Sequence, residues 1–304
     1  MENNKKSKGN LILALPVIAG ARWGGAGIFV RSLTDLGFGS LTIVSTRMLL
    51  STAVFFVALM IYDRKAFIIR PKDIFLFISA GAVGVVFFNI GYNDAVKELT
   101  LSFAAVLLAL FPAMVLVLAR IIFKEKIGKT KAICSLLAIA GCTLVSGAIT
   151  TGGLEIGTVS ARGILMGLLA TLCYAGYSII TRIGFEKGYS SLTLSFYSQL
   201  TASLILIPFT DWAVVGSSVV TEPALSLSLM IGNSILIAGL PYLLFNIALG
   251  RADTGKVSIL AAGAEPSAAM IIGAIVYMEI PGIIPIAGLI ITIVAMSVIC
   301  KSGR

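Results

Sequence analysis

Phe111-Pro112 through Glu125 returns later in the chain as Glu265-Pro266 through Glu279. In each copy the proline precedes a glutamate by thirteen residues, and a glycine, Gly128 or Gly282, follows three residues later. Around this pair, Tyr92-Asn93-Asp94-Ala95-Val96 answers Phe245-Asn246-Ile247-Ala248-Leu249. Trp23 through Arg31 answers Tyr174 through Arg182, and Arg47 falls opposite Gln199. The offset stays between 151 and 154 residues, half of the chain. Matches in a shared order at a near-constant offset mark an internal duplication, which constrains the fold more than any local signal.

The solvent follows from composition. Hydrophobic residues make up 58% and charged residues 12% of the chain, whereas soluble domains carry roughly 45 to 50% and about 25%. Mean hydropathy is +1.03. These values describe an integral membrane protein. A membrane span needs about 20 apolar residues, and ten such stretches follow one another: 11–30, 41–62, 74–92, 101–123, 130–149, 163–181, 192–210, 225–246, 257–277 and 283–300. The first follows Lys5, Lys6 and Lys8 as a signal peptide would, but it is long enough to span and has no small-residue cleavage site, so it counts as a helix. The expected fold is all-α, with five helices in a first repeat, 1–149, and five in a second, 150–304.

Five is odd, so the second copy enters the bilayer from the opposite side. Loop charge gives the orientation. With the amino terminus in the cytoplasm, seventeen Lys and Arg residues fall inside, against Arg31, Lys97 and Arg162 outside. Such a bias predicts that both termini are cytoplasmic. The net charge of +9 is then explained by orientation, with no nucleic-acid partner implied. Inverted repeats are typical of secondary transporters, whose substrate sites lie near the midplane where the halves meet.

The four cysteines, Cys134, Cys142, Cys173 and Cys300, lie in or beside apolar spans without metal-ligand spacing, and the chain has no histidine. No metal or cofactor is expected. Nor can an enzyme's nucleophile and base be assembled from these residues.

Trp23-Gly24, Arg47, Ala95, Pro112 with Glu125, and Pro266 with Glu279 form a pattern that resembles the drug/metabolite transporter superfamily, in its EamA-type branch with ten helices and two EamA domains. The resemblance covers nearly the whole chain and implies alternating-access movement of a small organic solute, commonly export of amino acids, metabolites or toxic compounds. The second copy departs from the pattern with Tyr174 opposite Trp23 and Gln199 opposite Arg47. Roles implied for the tryptophan and arginine therefore attach to the first half.

Charge at membrane depth is costly and usually functional. Arg22 falls roughly 17 Å into the first span and Glu265 roughly 14 Å into the ninth, both near the middle of a core about 30 Å thick. Arg22 is the candidate clamp for a substrate carboxylate, since its planar fork can hold both oxygens; the alternatives are a structural pair with Glu265 and a snorkelling arginine. Glu265 is the candidate for an ammonium group or a coupling proton, or else a structural carboxyl. Pro112 and Pro266 each remove a helix donor, freeing the carbonyls of Leu108 and Ala262, and are expected to kink their helices beside a cavity. Trp23, Phe111, Tyr174, Tyr177, Tyr92 and Tyr242, with Asn89, Asn246, Gln199 and Arg47, complete the expected wall; Tyr92 and Tyr242 read equally as interfacial anchors. Glu125 and Glu279 read as groups that orient the following helices.

The expected function is an exporter of amino acids or related metabolites in a bacterial inner or plasma membrane, with protons as the candidate coupling ion. The runner-up is a multidrug or organic-cation/proton antiporter in which Glu265 binds the cation. A channel or non-transporting membrane partner is a third class. Substrate and oligomeric state are not encoded legibly.

Overall fold

The computed structural model describes residues 2–99, 101–150, 153–154, 160–278 and 280–302, with side chains described except at 2–10, 101–102, 150 and 153–154. Glu279, expected to orient the last helix, and Arg304, counted in the cytoplasmic charge, lie outside the described residues.

Lipid offers the backbone no hydrogen bonds, so the apolar runs fold as helices. Nine helices among the described residues are long and apolar enough to cross a membrane: α1 (Leu11–Asp35), α2 (Ser40–Tyr62), α3 (Pro71–Glu98), α4 (Phe103–Phe123), α6 (Ala161–Glu186), α7 (Ser191–Phe209), α8 (Pro223–Leu249), α9 (Thr254–Val276) and α10 (Ile283–Lys301). Between them α5 (Lys129–Val145) has 17 residues, about 25 Å at the usual rise. It stops short of the expected 149 because Ser146 and Gly147 turn the chain, with Gly147 at φ +77. A two-residue hairpin follows, Ile149 paired with Leu154. Neither this hairpin nor a further short helix was foreseen in the sequence. Trp212–Thr221 forms a short helix between α7 and α8, started by the Asp211 carboxylate accepting from the Val214 amide.

Close contacts establish the direction of each helix. Methyl groups at Gly20 and Gly24 would collide with the carbonyl oxygens of Ala261 and Glu265, so α1 lies directly against α9 and runs parallel to it. In the other half α6 runs parallel to α4: Thr171 Oγ donates to Leu107 O at 3.0 Å, and further along Arg182 meets Glu125 at 2.7 Å. Arg182 Nη1 also reaches Thr254 Oγ1, 3.4 Å away. The end of α6 therefore meets the start of α9, beside which α1 begins. The repeats are inverted, and α1 against α9 is exchanged for α6 against α4. Helices α2 and α7 pack on each other at the pseudo-axis, where Thr52 and Ser203 hydroxyls are 3.1 Å apart. Helices α5 and α10 do the same where Gly141 and Gly288 allow close approach. Lys256 Nζ donates to Ser302 O, so α9 starts on the face where α10 ends; we call this the terminal face.

The duplication extends to irregularities. A π-helical turn spans Ala82–Phe87 in α3, and another spans Ser234–Gly239 in α8, 152 residues later. Other breaks are not shared. Helix α1 is interrupted at Gly25 and α4 at Ala109 and Leu110, whereas their counterparts α6 and α9 are continuous.

Both prolines were expected to kink their helices, and the structure places them differently. Pro112 begins the second segment of a broken α4, but Pro266 sits inside one unbroken helix. The carbonyl that Pro266 frees, Ala262 O, accepts from Cys142 Sγ at 3.5 Å. A neighbour satisfies the orphaned acceptor, so α9 need not open.

The main core lies at the centre of the bundle and contains Phe111, Tyr174, Tyr177, Tyr242 and Phe245. Tyr242, which reads from sequence as either wall or surface anchor, is 7% exposed and belongs to this core.

Candidate functional site

A cavity of about 600 Å³ opens on the face opposite the terminal face. Its wall is supplied by α1, α3, α4, α5, α6 and α9, and Arg31, Tyr277, Ile280, Pro281 and Pro285 lie toward its mouth. Its deeper part holds Trp23, Phe111, Tyr174, Tyr92, Cys142 and Glu265.

The floor is an aromatic layer. Tyr174 stacks on Phe111 with ring centroids 4.1 Å apart and planes at 17°. Trp23 meets Tyr174, Tyr242 and Phe245 edge-on at 6.1, 5.5 and 5.5 Å. Trp23 is also tied by a hydrogen bond: its indole Nε1 donates to Ile237 O at 3.1 Å. Pro241 explains that acceptor, since it has no amide proton to return to the carbonyl four residues earlier. Below the layer, Asn246 Nδ2 donates to Tyr177 Oη at 2.9 Å and to Ser195 Oγ at 2.8 Å. That network is buried and closes the bundle toward the terminal face.

Glu265 is half-buried at this floor, on the turn of α9 that touches Gly24. No hydrogen bond or ion pair to its carboxylate occurs among the described residues. A carboxylate in a pocket lined by aromatic faces attracts a cation twice, through its charge and through the ring quadrupoles.

Of the residues expected from sequence, Trp23, Tyr92, Phe111, Tyr174, Glu265 and Pro266 line the cavity. Arg22 does not. Successive helix residues point about 100° apart, and the packing of Gly20 and Gly24 on α9 turns Trp23 inward. Arg22 is left exposed on the outside of the bundle, where it pairs with neither Glu265 nor a cavity ligand. Asn89 donates to Val85 O in its own helix at 2.7 Å. Tyr177 and Asn246 bond each other beneath the floor. Tyr242 backs Trp23 without lining the cavity. Arg47 is close enough to Tyr242 to interact electrostatically, behind the aromatic layer. Its Nε and both amide atoms of the buried Gln199 lack partners among the described residues. Pro112 lies behind Phe111 and is buried.

Among the lining residues that escaped the sequence reading are Arg31 and Cys142. Arg31 looks like a loop charge, yet it reaches the cavity wall with its guanidinium 4.2 Å from the Tyr277 ring centroid. Its match to Arg182 in the repeat was the available signal. Cys142 looked like a small packing residue, and nothing in the sequence distinguishes its inward face.

A multi-pass bundle of inverted repeats around a midplane cavity defines the class: an integral membrane transporter. The model of the EamA-like transporter family matches residues 8–147 and again 161–300, so the chain belongs to that family. It is 24% identical over 169 residues to a protein of Archaeoglobus fulgidus described as an uncharacterized transporter, an alignment covering 56% of each chain. The chain thus spans little more than half the length of that curated relative. A solved structure titled only as the crystal structure of a protein superposes with a TM-score of 0.75 over 96% of both chains at 15% identity, a likeness of fold.

Proposed function

We propose that this transporter exchanges small organic cations, amines with an apolar or aromatic body, for protons by alternating access, with Glu265 as the shared binding group. The carrying observation is the Glu265 carboxylate, the one acidic group lining the cavity among the described residues, on an aromatic floor at its bottom. A carboxylate that binds either a proton or a cation, but not both, couples the two fluxes in opposite directions. The inverted repeats support alternating access, because exchanging the conformations of the halves turns an opening on one face into an opening on the other. The loop charge supports a cytoplasmic terminal face, and in that reading the cavity opens outward from the membrane.

The amino-acid reading fares less well. It needed Arg22 as the carboxylate clamp, and Arg22 lies outside the cavity. Arg31 is not placed as that clamp: its guanidinium stacks on Tyr277 toward the cavity mouth, while Glu265 lies at the floor.

The test uses purified protein in liposomes with an imposed pH gradient and a panel of cationic aromatic amines, zwitterionic amino acids and organic anions. Saturable, gradient-driven accumulation of the cations, unaffected by R22A, is expected. Transport confined to amino acids and abolished by R22A would overturn the reading.

A further inference from the structure

The two faces of the bundle carry the same arginine unit, once at each. Arg182, near the end of α6, has its Cζ 4.0 Å from the Phe123 ring centroid at the end of α4. Arg31, near the end of α1, has its Cζ 4.2 Å from the Tyr277 ring centroid at the end of α9. Arg31 and Arg182 are 151 residues apart, and Phe123 and Tyr277 are 154 apart. Both offsets fall in the range set by the repeat, so inversion carries one pair onto the other. Chance proximity of an arginine to a ring gives no such correspondence.

The two units border different spaces. On the terminal face Arg182 is fastened on several sides: to Glu125 at 2.7 Å, to Glu186 at 3.4 Å and to Thr254 Oγ1 at 3.4 Å. It is 22% exposed. The contact to Thr254 matters most, because it ties the end of α6, and through Glu125 the segment that follows α4, to the start of α9. Lys131 and Asp253, 2.6 Å apart, add a second clasp between the start of α5 and the start of α9. On the opposite face Arg31 and Tyr277 stand in the wall of the open cavity. One unit spans a closed face, and its mate borders an open one.

We propose that Arg182 and Arg31 are the paired gating residues of the transport cycle: Arg182 with Phe123 and Glu125 holds the terminal face shut, and Arg31 with Tyr277 performs the same task on the opposite face when the cavity closes there. The proposal rests on the alternating-access reading. Each unit stabilises the conformation closed on its own face, so weakening the two units moves the population in opposite directions. Planarity suits arginine to this place, since one guanidinium stacks on a ring while its edges bond a carboxylate and a hydroxyl.

Ser146 lines the cavity and is half-buried, so Ser146→Cys makes a reporter there. With Cys134→Ser, Cys142→Ser, Cys173→Ser and Cys300→Ser, it is the only thiol. Its rate of modification by a membrane-impermeant methanethiosulfonate applied to the cavity face reads the population open on that face. R182Q is expected to lower this rate about fivefold or more, in the range of ordinary conformational coupling. E125Q, which loosens the same unit from α4, should act in the same direction. R31Q should leave the rate at or above that of the parent, and R31Q added to R182Q should return it to within about twofold of the parent, as opposed biases cancel. That restoration also answers misfolding, since a second substitution of this kind does not refold a collapsed protein. A parent-like rate in R182Q and E125Q, a fall in R31Q, or no recovery in the double variant overturns the gating assignment. The alternating-access reading itself fails differently: a labelling rate in the parent that no transported cation or pH gradient changes.

Discussion

At the residue scale the site depends on rotation about helix axes as much as on depth. Glu265 and Arg22 sit at similar depths in parallel helices, yet one faces the cavity and the other faces outward. Gly20 and Gly24 decide this, because their missing side chains let α1 settle on the carbonyls of Ala261 and Glu265. Gly24→Val should separate α1 from α9 and greatly reduce the yield of monodisperse protein on size-exclusion chromatography, whereas Gly27→Ala, with open space around it, should elute as the parent does. Trp23 carries a second test. Trp23→Phe keeps a ring on the floor but leaves Ile237 O without its indole donor, an expected loss of about 1–3 kcal/mol, read as a lower unfolding temperature in detergent. Depth was legible in the sequence because it follows from counting residues along an apolar run. Rotation was not, because α1 is apolar almost all round and its orientation is set by what α9 presents. That is why Trp23, Tyr174 and Glu265, singled out in the sequence, line the cavity, while Arg22 faces outward and Arg31 was not singled out.

At the scale of elements, the same proline has different consequences in its two copies. In α4 the helix breaks at Ala109 and Leu110, just ahead of Pro112, and Ala105, Leu108 and Ala109 line the cavity. In α9 the helix runs through Pro266, and Cys142 from α5 takes the freed carbonyl. Pro266→Ala restores an amide donor to a helix already formed and should change stability by no more than about 1 kcal/mol, with transport largely retained. Pro112→Ala allows α4 to close its break and reshapes the cavity wall, so transport rates in liposomes should fall while the protein stays folded. Equal effects from the two substitutions would contradict this assignment. The sequence announces both prolines but not the neighbour that satisfies each carbonyl, and that neighbour decides whether a helix opens. The paired π turns were similarly hidden: Ala82–Phe87 and Ser234–Gly239 share a position and no obvious pattern of residues.

At the scale of the whole molecule, the duplication, the apolar spans and the alternation of loop charge made the architecture legible, because each is a property summed over many residues. The inverted exchange of α1 against α9 for α6 against α4 follows from an odd number of helices per repeat. What the sum leaves out is asymmetry. The chain keeps one scaffold twice, yet Phe111 precedes the first proline and Glu265 the second. The result is the Glu265 carboxylate beside an aromatic layer drawn from both repeats, Trp23 and Phe111 from the first and Tyr174 from the second.

On this account one carboxylate serves cation and proton in turn, and calorimetric titration of the purified transporter with tetraphenylphosphonium across a pH series tests it most directly. In the acid range, where protons hold Glu265, apparent affinity should weaken about tenfold for each pH unit lowered, and each cation bound should release about one proton. E265Q should bind at least about a hundredfold more weakly, with no pH dependence, because the charge that attracts the cation is gone. Parent-like affinity and parent-like pH dependence in E265Q would contradict the account.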